Sequence, residues 1–131
     1  VSDALKNGGI MELKLRDVVL VNMGLLVLAK KDLSARLSFK IAMNLKNIEP
    51  TLVVFEEKRN GFVKKFGVEK DGICEVSEDK KDEFFVLVSS ILDESVEIAI
   101  KTMDISEFDN NDVTAETLRQ IIMILTDEKE K

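Results

Sequence analysis

Histidine, tryptophan and tyrosine are absent from this 131-residue sequence, and cysteine and proline occur once each, as Cys74 and Pro50. Without histidine there is no Ser-His-Asp triad, no Cys-His pair and no imidazole ligand for zinc or iron. A lone cysteine excludes an intramolecular disulfide, a CxxC redox pair and a four-cysteine metal site. Its apolar and acidic flanks, Ile73, Glu75 and Val76, argue against a reactive thiol, and an unpaired cysteine fits a reducing cytoplasm. No apolar run reaches the roughly 18–20 residues that a membrane-spanning helix needs. The longest, Val18 to Ala29, is interrupted by Asn22 and Gly24 and lies too far inside the chain to serve as a signal peptide.

What remains is a chain of one domain's length, 45% hydrophobic and 34% charged, with a net charge of −6, a profile of folded globular proteins. The first ten residues share no pattern with the rest of the chain, and Met11-Glu-Leu-Lys-Leu15 reads as a natural start. Residues 1–10 are therefore expected to be a leader or upstream extension, and 11–131 a single domain. Charge is uneven. Residues 1–74 carry 13 Lys+Arg against 9 Asp+Glu, and residues 75–131 carry 6 against 16. Such a split gives two solvated faces of opposite sign, or complementary surfaces within or between chains.

Hydrophobic periodicity supplies the elements. Leu15, Val18, Val19, Asn22, Leu25, Leu26 and Ala29 recur at helical spacing in a segment apolar nearly all round, which predicts a helix buried on more than one side. A short strand at Met11–Leu15 leading into it is the alternative start. Asp32 or Ser34 can cap a second helix. There Ile41, Leu45, Ile48, Leu52, Phe55, Arg59, Phe62 and Phe66 step by alternating fours and threes, a heptad seam. Pro50 interrupts it, so the segment is one kinked helix or two helices; the heptad phase survives the proline, which favours the kink. Gly67 then stops the helix.

Asp71-Gly72 marks a turn, and Ile73–Val76 is an edge strand or loop. Ser77 with Glu78 and Asp79 predicts a helix start, with Phe84, Leu87, Val88, Ile91 and Leu92 facing inward. Val96–Ile100 alternates as a strand, pairing with Ile73–Val76 or with Met11–Leu15. Ser106–Asp112 reads as a polar loop. Thr114 caps a last helix with Val113 and Leu118 as a staple, and Leu118, Ile121, Ile122 and Leu125 bury one side of it. Asp127–Lys131 is a charged tail. The expected fold is mainly α (α+β): a long kinked helix, two to three further helices and a small two- or three-stranded sheet.

Chemical motifs are sparse. Glu56 and Glu57 are adjacent on a helix, point about 100° apart and cannot clamp one metal together. Asp104, Glu107, Asp109, Asn110, Asn111 and Asp112 are rich in oxygen ligands but lack the alternation and central glycine of a calcium-binding loop. Gly8-Gly9 and Gly72 make no phosphate loop. Lys30, Lys31, Arg36, Lys40 and Lys46 form the strongest basic stretch, yet a pI of about 4.8 and Phe39 as its one aromatic argue against nucleic-acid binding. No catalytic, cofactor or metal residue emerges, and an enzyme would need a carboxylate-only metal site that the sequence does not display.

The pattern Ala42, Asn44, Asn47-Ile48, Leu52, Phe55-Glu56-Glu57, Arg59 and Val63-Lys64-Lys65-Phe66-Gly67 resembles small uncharacterised proteins of tailed phages and prophages of Gram-positive bacteria. Those chains of about 120 residues open like Met11-Glu-Leu-Lys-Leu15. They continue through a long charged helix, a turn like Asp71-Gly72, a strand like Ser95-Val-Glu-Ile98 and a final Leu-rich helix. The resemblance covers Met11 to Leu125 through ordinary residues. It assigns no activity, and Pro50 departs from its uninterrupted helix.

The function expected from these features is that of a non-enzymatic, phage-type interaction or assembly protein, cytoplasmic, without cofactor or membrane, acting through a self-associating helical surface. Phe55, Arg59, Phe62 and Phe66 are expected near a helix–helix contact, within the chain or between chains. The alternative is an acidic inhibitor of a host nucleic-acid-binding or defence protein, using Glu78, Asp79, Asp82, Glu83, Asp93 and Glu94.

Overall fold

The computed structural model describes residues 9–109 and 111–128. Most of the expected leader, Asn110 of the acidic loop and the tail from Lys129 lie outside the described residues. Strand β1 (Ile10–Lys14) runs directly into helix α1 (Leu15–Ala29), as in the alternative start. It pairs antiparallel with β4 (Ser95–Ala99), Ile10 opposite Ala99 and Lys14 opposite Ser95. Ile10 thus belongs to the folded unit, and the Gly9 carbonyl accepts from the Ile100 N–H. The expected domain start at Met11 moves forward accordingly.

Helix α1 buries Leu15, Val18, Val21, Gly24, Leu25 and Leu28 and leaves Met23, Leu26 and Val27 exposed. The buried phase differs from the expected one: Val21 and Leu28 face the core, whereas Leu26 and Ala29 face out. In a segment apolar nearly all round, the neighbours rather than the pattern choose the face. Gly24 is where the terminal helix α4 (Ala115–Gln120) comes close. A Cβ there would lie 2.5 Å from Ile121 Cγ2 and 3.3 Å from the Thr117 carbonyl oxygen.

Ser34 caps helix α2, its hydroxyl accepting from the Leu37 N–H at 3.2 Å. The helix spans Ala35–Phe66, 32 residues, with Pro50 inside it, so one helix and not two fills the segment. Proline removes one donor, leaving the Lys46 carbonyl without its intrahelical partner; Lys46 and Pro50 are both exposed, where water can serve that oxygen. The inner half of α2 buries Leu37, Ile41, Asn44 and Ile48.

Gly67 ends α2 in extended backbone and opens the hairpin β2 (Gly67–Lys70) and β3 (Ile73–Val76). Its φ of −95° is ordinary; what demands glycine is space. A Cβ would sit 2.3 Å from the Val63 carbonyl oxygen and 2.9 Å from that of Glu75. Asp71 and Gly72 both take positive φ, 53° and 79°, the two-residue turn that matches strand twist. A 3₁₀ turn (Glu78–Lys80) leads into α3 (Lys81–Leu92), which packs back against α2. Ser77 does not cap it with its side chain; the hydroxyl donates instead to the Phe66 carbonyl, tying the hairpin's exit to the end of α2.

The expected polar loop at Ser106–Asp112 begins as a 3₁₀ turn (Ile105–Phe108) closed by a capping box between Asp104 and Glu107, and it buries Phe108. Helix α4, capped by Thr114, is shorter than expected. It gives way to a 3₁₀ turn (Ile122–Ile124), after which β6 (Leu125–Thr126) pairs in parallel with β5 (Met103–Asp104). Leaving the helix after Gln120 changes the inward set: Ile121 and Ile124 are fully buried, whereas Ile122 is 63% exposed. Among the described residues the result is a mainly helical α+β fold of four helices whose strands form three separate pairs.

Candidate functional site: an apolar helical arm

The core and the rest of the chain divide sharply along α2. Core residues run from Leu13 to Ile48 and resume at Ile98; between Glu49 and Glu97 no residue is buried. That stretch contains the outer half of α2, the β2–β3 hairpin and α3, which together form a two-helix arm. A pair of helices covers each apolar side chain on one side only. The arm accordingly leaves Val53, Val54, Val68, Ile73, Phe85 and Val86 exposed, with Val54 at 56% and Val86 at 65%. A second exposed apolar set, Met23, Leu26 and Val27 on α1 with Ile122 and Met123, lies on the core itself.

The seam residues fall along the side of this arm that α3 covers. Phe55 packs on the edge of the core cluster and lines a groove at the arm's base with Pro50, Val54, Ile91 and Val96. Phe66 lines a second groove at the tip with Glu83, Val86 and Leu87, the Lys65 ammonium standing 5.4 Å from its ring centroid. Phe62 is half-buried and Arg59 exposed. Arg59 marks the polar break in the row and has no carboxylate partner among the described residues. On α3 the expected inward set, Phe84, Leu87, Val88, Ile91 and Leu92, is half-buried.

The six acidic residues do not form one patch. Glu78, Asp79, Asp82 and Glu83 gather at the start of α3, and Asp93 and Glu94 come after its end, about 18 Å away along a 12-residue helix. Three are already paired: Glu78 with Lys81, Glu83 with Lys80 and Asp93 with Arg16. Asp82 and Glu83 also complement the positive end of the α3 dipole. By contrast Lys58, Arg59, Lys64 and Lys65, on the outer half of α2, make no ion pair among the described residues.

Two polar clusters in the body of the fold could be taken for chemistry, and both serve as clamps. Asn44 is fully buried; its amide donates to the Lys101 carbonyl at 2.9 Å and accepts from the Lys101 N–H at 2.7 Å. One turn on, Asn47 donates to the Ala99 carbonyl. Asp104 receives the Ser106 hydroxyl, the Glu128 and Ser106 N–H groups and the Thr126 hydroxyl, and these bonds, in that order, lower its carboxyl from 3.8 to about 2. A carboxyl depressed in the folded state stabilises above its unfolded value, and that contribution is lost as pH falls through the folded one. Thermal stability of the wild type should therefore fall between pH 3.8 and 2 more steeply than that of Asp104→Asn. Parallel melting curves across that window would remove Asp104 as the clamp.

Among the described residues no group of His, Cys, Asp or Glu could hold a metal ion, and no helix is long and apolar enough to cross a membrane. The exposed apolar residues were missed by the heptad reading, although the signal stood in the sequence. Val53-Val54 lie outside the seam, and five consecutive apolar residues, Phe84 to Val88, cannot all face one side of a helix. Comparison with protein-family models, with curated proteins and with solved structures gives no significant match to this chain.

Proposed function

We propose that the chain is a non-enzymatic interaction or assembly protein, of the phage type that its sequence resembles, and that it self-associates through the arm. The observation that carries this reading is the stretch from Glu49 to Glu97, rich in Val, Ile, Leu and Phe and without one buried residue. An arm of two helices and an isolated hairpin lacks the third layer that would make it stable by itself. Covering what remains exposed of Val54 and Val86, 56% and 65%, contributes about 1 kcal/mol apiece, enough to offset part of the cost of association. Cys74, unpaired and half-buried beside the Val63 carbonyl, fits a cytoplasmic setting.

The acidic-inhibitor reading draws less support, because its six carboxylates stand at two ends of a helix and half of them already face cations. Light scattering behind size exclusion, across a dilution series, should give a dimer or larger species that persists at high salt. Val54→Asp and Val86→Asp, both at exposed positions, should each shift it toward monomer while leaving the circular dichroism spectrum unchanged. A wild-type protein that stays monomeric at every concentration overturns the reading.

A further inference from the structure

We infer that the outer edge of β1 is a docking site for an extended basic segment of another protein, which joins β4 and β1 as a third strand. This edge is distinct from the flanks of the arm, and its occupant is independent of self-association there. The backbone fixes which groups are open. The Ile100 N–H donates to the Gly9 carbonyl, and the Leu15 N–H to that of Glu94. In this register the odd-numbered residues of β1 therefore turn their N–H and C=O groups toward β4. Ile10 and Glu12 turn both groups the other way, and so does the N–H of Lys14, whose carbonyl starts α1. Among the described residues no strand other than β4 pairs with β1. The far edge of β4 differs, since the Asn47 amide there donates to the Ala99 carbonyl. β1 also lacks the proline or bulge that commonly blunts a free edge, its five residues pairing in unbroken register.

Charge selects the strand that fits. Glu12 stands directly opposite Glu97, in a pair that exchanges no hydrogen bonds and so brings its side chains closest. Both are exposed, and neither makes an ion pair among the described residues. Like charges so placed are destabilising, and a Lys or Arg beside Glu12 on an added strand offsets them. The same carboxylates disfavour a second copy of this chain. Two β1 edges paired antiparallel along their full length set Glu12 against Glu12, a row of four carboxylates across the sheet. Shifting that register by two residues either way leaves only three residues to pair. On the outer face Glu12 lies between Ile10, 57% exposed, and Lys14, so the segment's basic residue is held beside Glu12 by repulsion from Lys14. On the inner face Met11 and Leu13 belong to the core and its rim, which favours apolar residues at the alternate positions of the segment.

The probe is the labelled peptide Thr-Val-Arg-Val-Arg-Val-Thr, titrated into the full-length chain by fluorescence anisotropy beside a counterpart with Glu for Arg. The arginine peptide should bind saturably and the glutamate peptide at least about tenfold more weakly. In the peptide-free chain, hydrogen exchange followed by NMR should show Met11 and Leu13 amides protected and those of Ile10 and Glu12 exchanging freely; the peptide should protect the latter two. Ile10→Pro removes a donor at the edge and none to β4, so it should melt like the wild type while binding about tenfold more weakly. Glu12→Lys should melt at a higher temperature than the wild type, since it now faces Glu97 with opposite charge, and yet bind the arginine peptide about tenfold more weakly. No binding of the arginine peptide, equal binding of the two peptides, or wild-type affinity in either variant overturns the proposal. Protection of Ile10 and Glu12 without peptide means that the edge is already covered, and loss of self-association in Ile10→Pro places a second copy there; each overturns it as well. None of these outcomes alters what Val54→Asp and Val86→Asp report on the arm.

Discussion

Asn44→Leu should lower the free energy of unfolding by about 3–4 kcal/mol, because it leaves the Lys101 N–H and carbonyl without partners in the core. Asn44 is fully buried, and both of its amide groups are committed to that one residue. Each unsatisfied backbone group costs about 1–3 kcal/mol, while leucine's extra apolar area returns only part of this. Against a typical domain stability of about 5–15 kcal/mol the loss is severe. Asn44→Asp separates the hydrogen bonds from the shape. A carboxylate can still accept from the Lys101 N–H, but it faces the Lys101 carbonyl with no donor and buries a charge. It should be no more stable than Asn44→Leu. Urea denaturation followed by circular dichroism measures both, and a midpoint within error of the wild type for either would show that β4's exit from the sheet is held by other contacts.

The second large effect is local. Gly67→Ala places a methyl group between two backbone carbonyls, those of Val63 and Glu75, and beside the Cys74 sulfur. Neither carbonyl can rotate away as a flexible side chain would, so the hairpin must leave the helix end, at a cost of about 1–3 kcal/mol or more. The arm meets the core through half-buried side chains such as Phe55 and Ile91 and through no fully buried one, and Gly67 lies at its far end, so this cost falls on the arm more than on the core. Hydrogen exchange should show lost protection for amides of Val68–Val76 and of α3, with Val18–Leu28 unchanged. Uniform loss across the chain would mean that arm and core unfold as one unit. Size exclusion of the same variant should show weakened self-association, since the tip groove between Phe66 and α3 loses its wall.

How much of this the sequence disclosed differs from element to element. The long helix was legible because eight residues held one heptad phase through Pro50, and phase continuity outweighed the proline's local penalty. Thr114 was legible as a cap, and Ser34 as one of two candidates with Asp32, because a hydroxyl or carboxylate before a periodic run can accept the helix's first free N–H groups. The face of α1 was not legible: a segment apolar on every side carries no phase, and only contact with β1, α2 and α4 selected Val21 and Leu28. β2 escaped because Gly67–Lys70 has one apolar residue, Val68, and pairs only by virtue of the Asp71-Gly72 turn. The shortness of α4 escaped because Leu118, Ile121, Ile122 and Leu125 fit a helical stripe, although the chain leaves the helix after Gln120 and buries Ile124. For the candidate site, the sequence drew attention to α2 through its heptad seam. Phe55, Phe62 and Phe66 are half-buried along the side that α3 covers, and the exposed flank beside them holds the ordinary-looking Val54, Glu57, Lys58 and Gly61.

The continuity of α2 through Pro50 makes it a ruler. Past Phe55, which packs on the core's edge, the helix runs about 16 Å further to Phe66, and the same rod is fixed inside the core at Ile41, Asn44 and Ile48. A second copy seated on the arm is thereby held away from the core by a distance set by residue count. Inserting one seven-residue repeat in the outer half of α2, matched by one in α3, would lengthen that distance by about 10 Å while keeping the phase of the contacts to within about 20°.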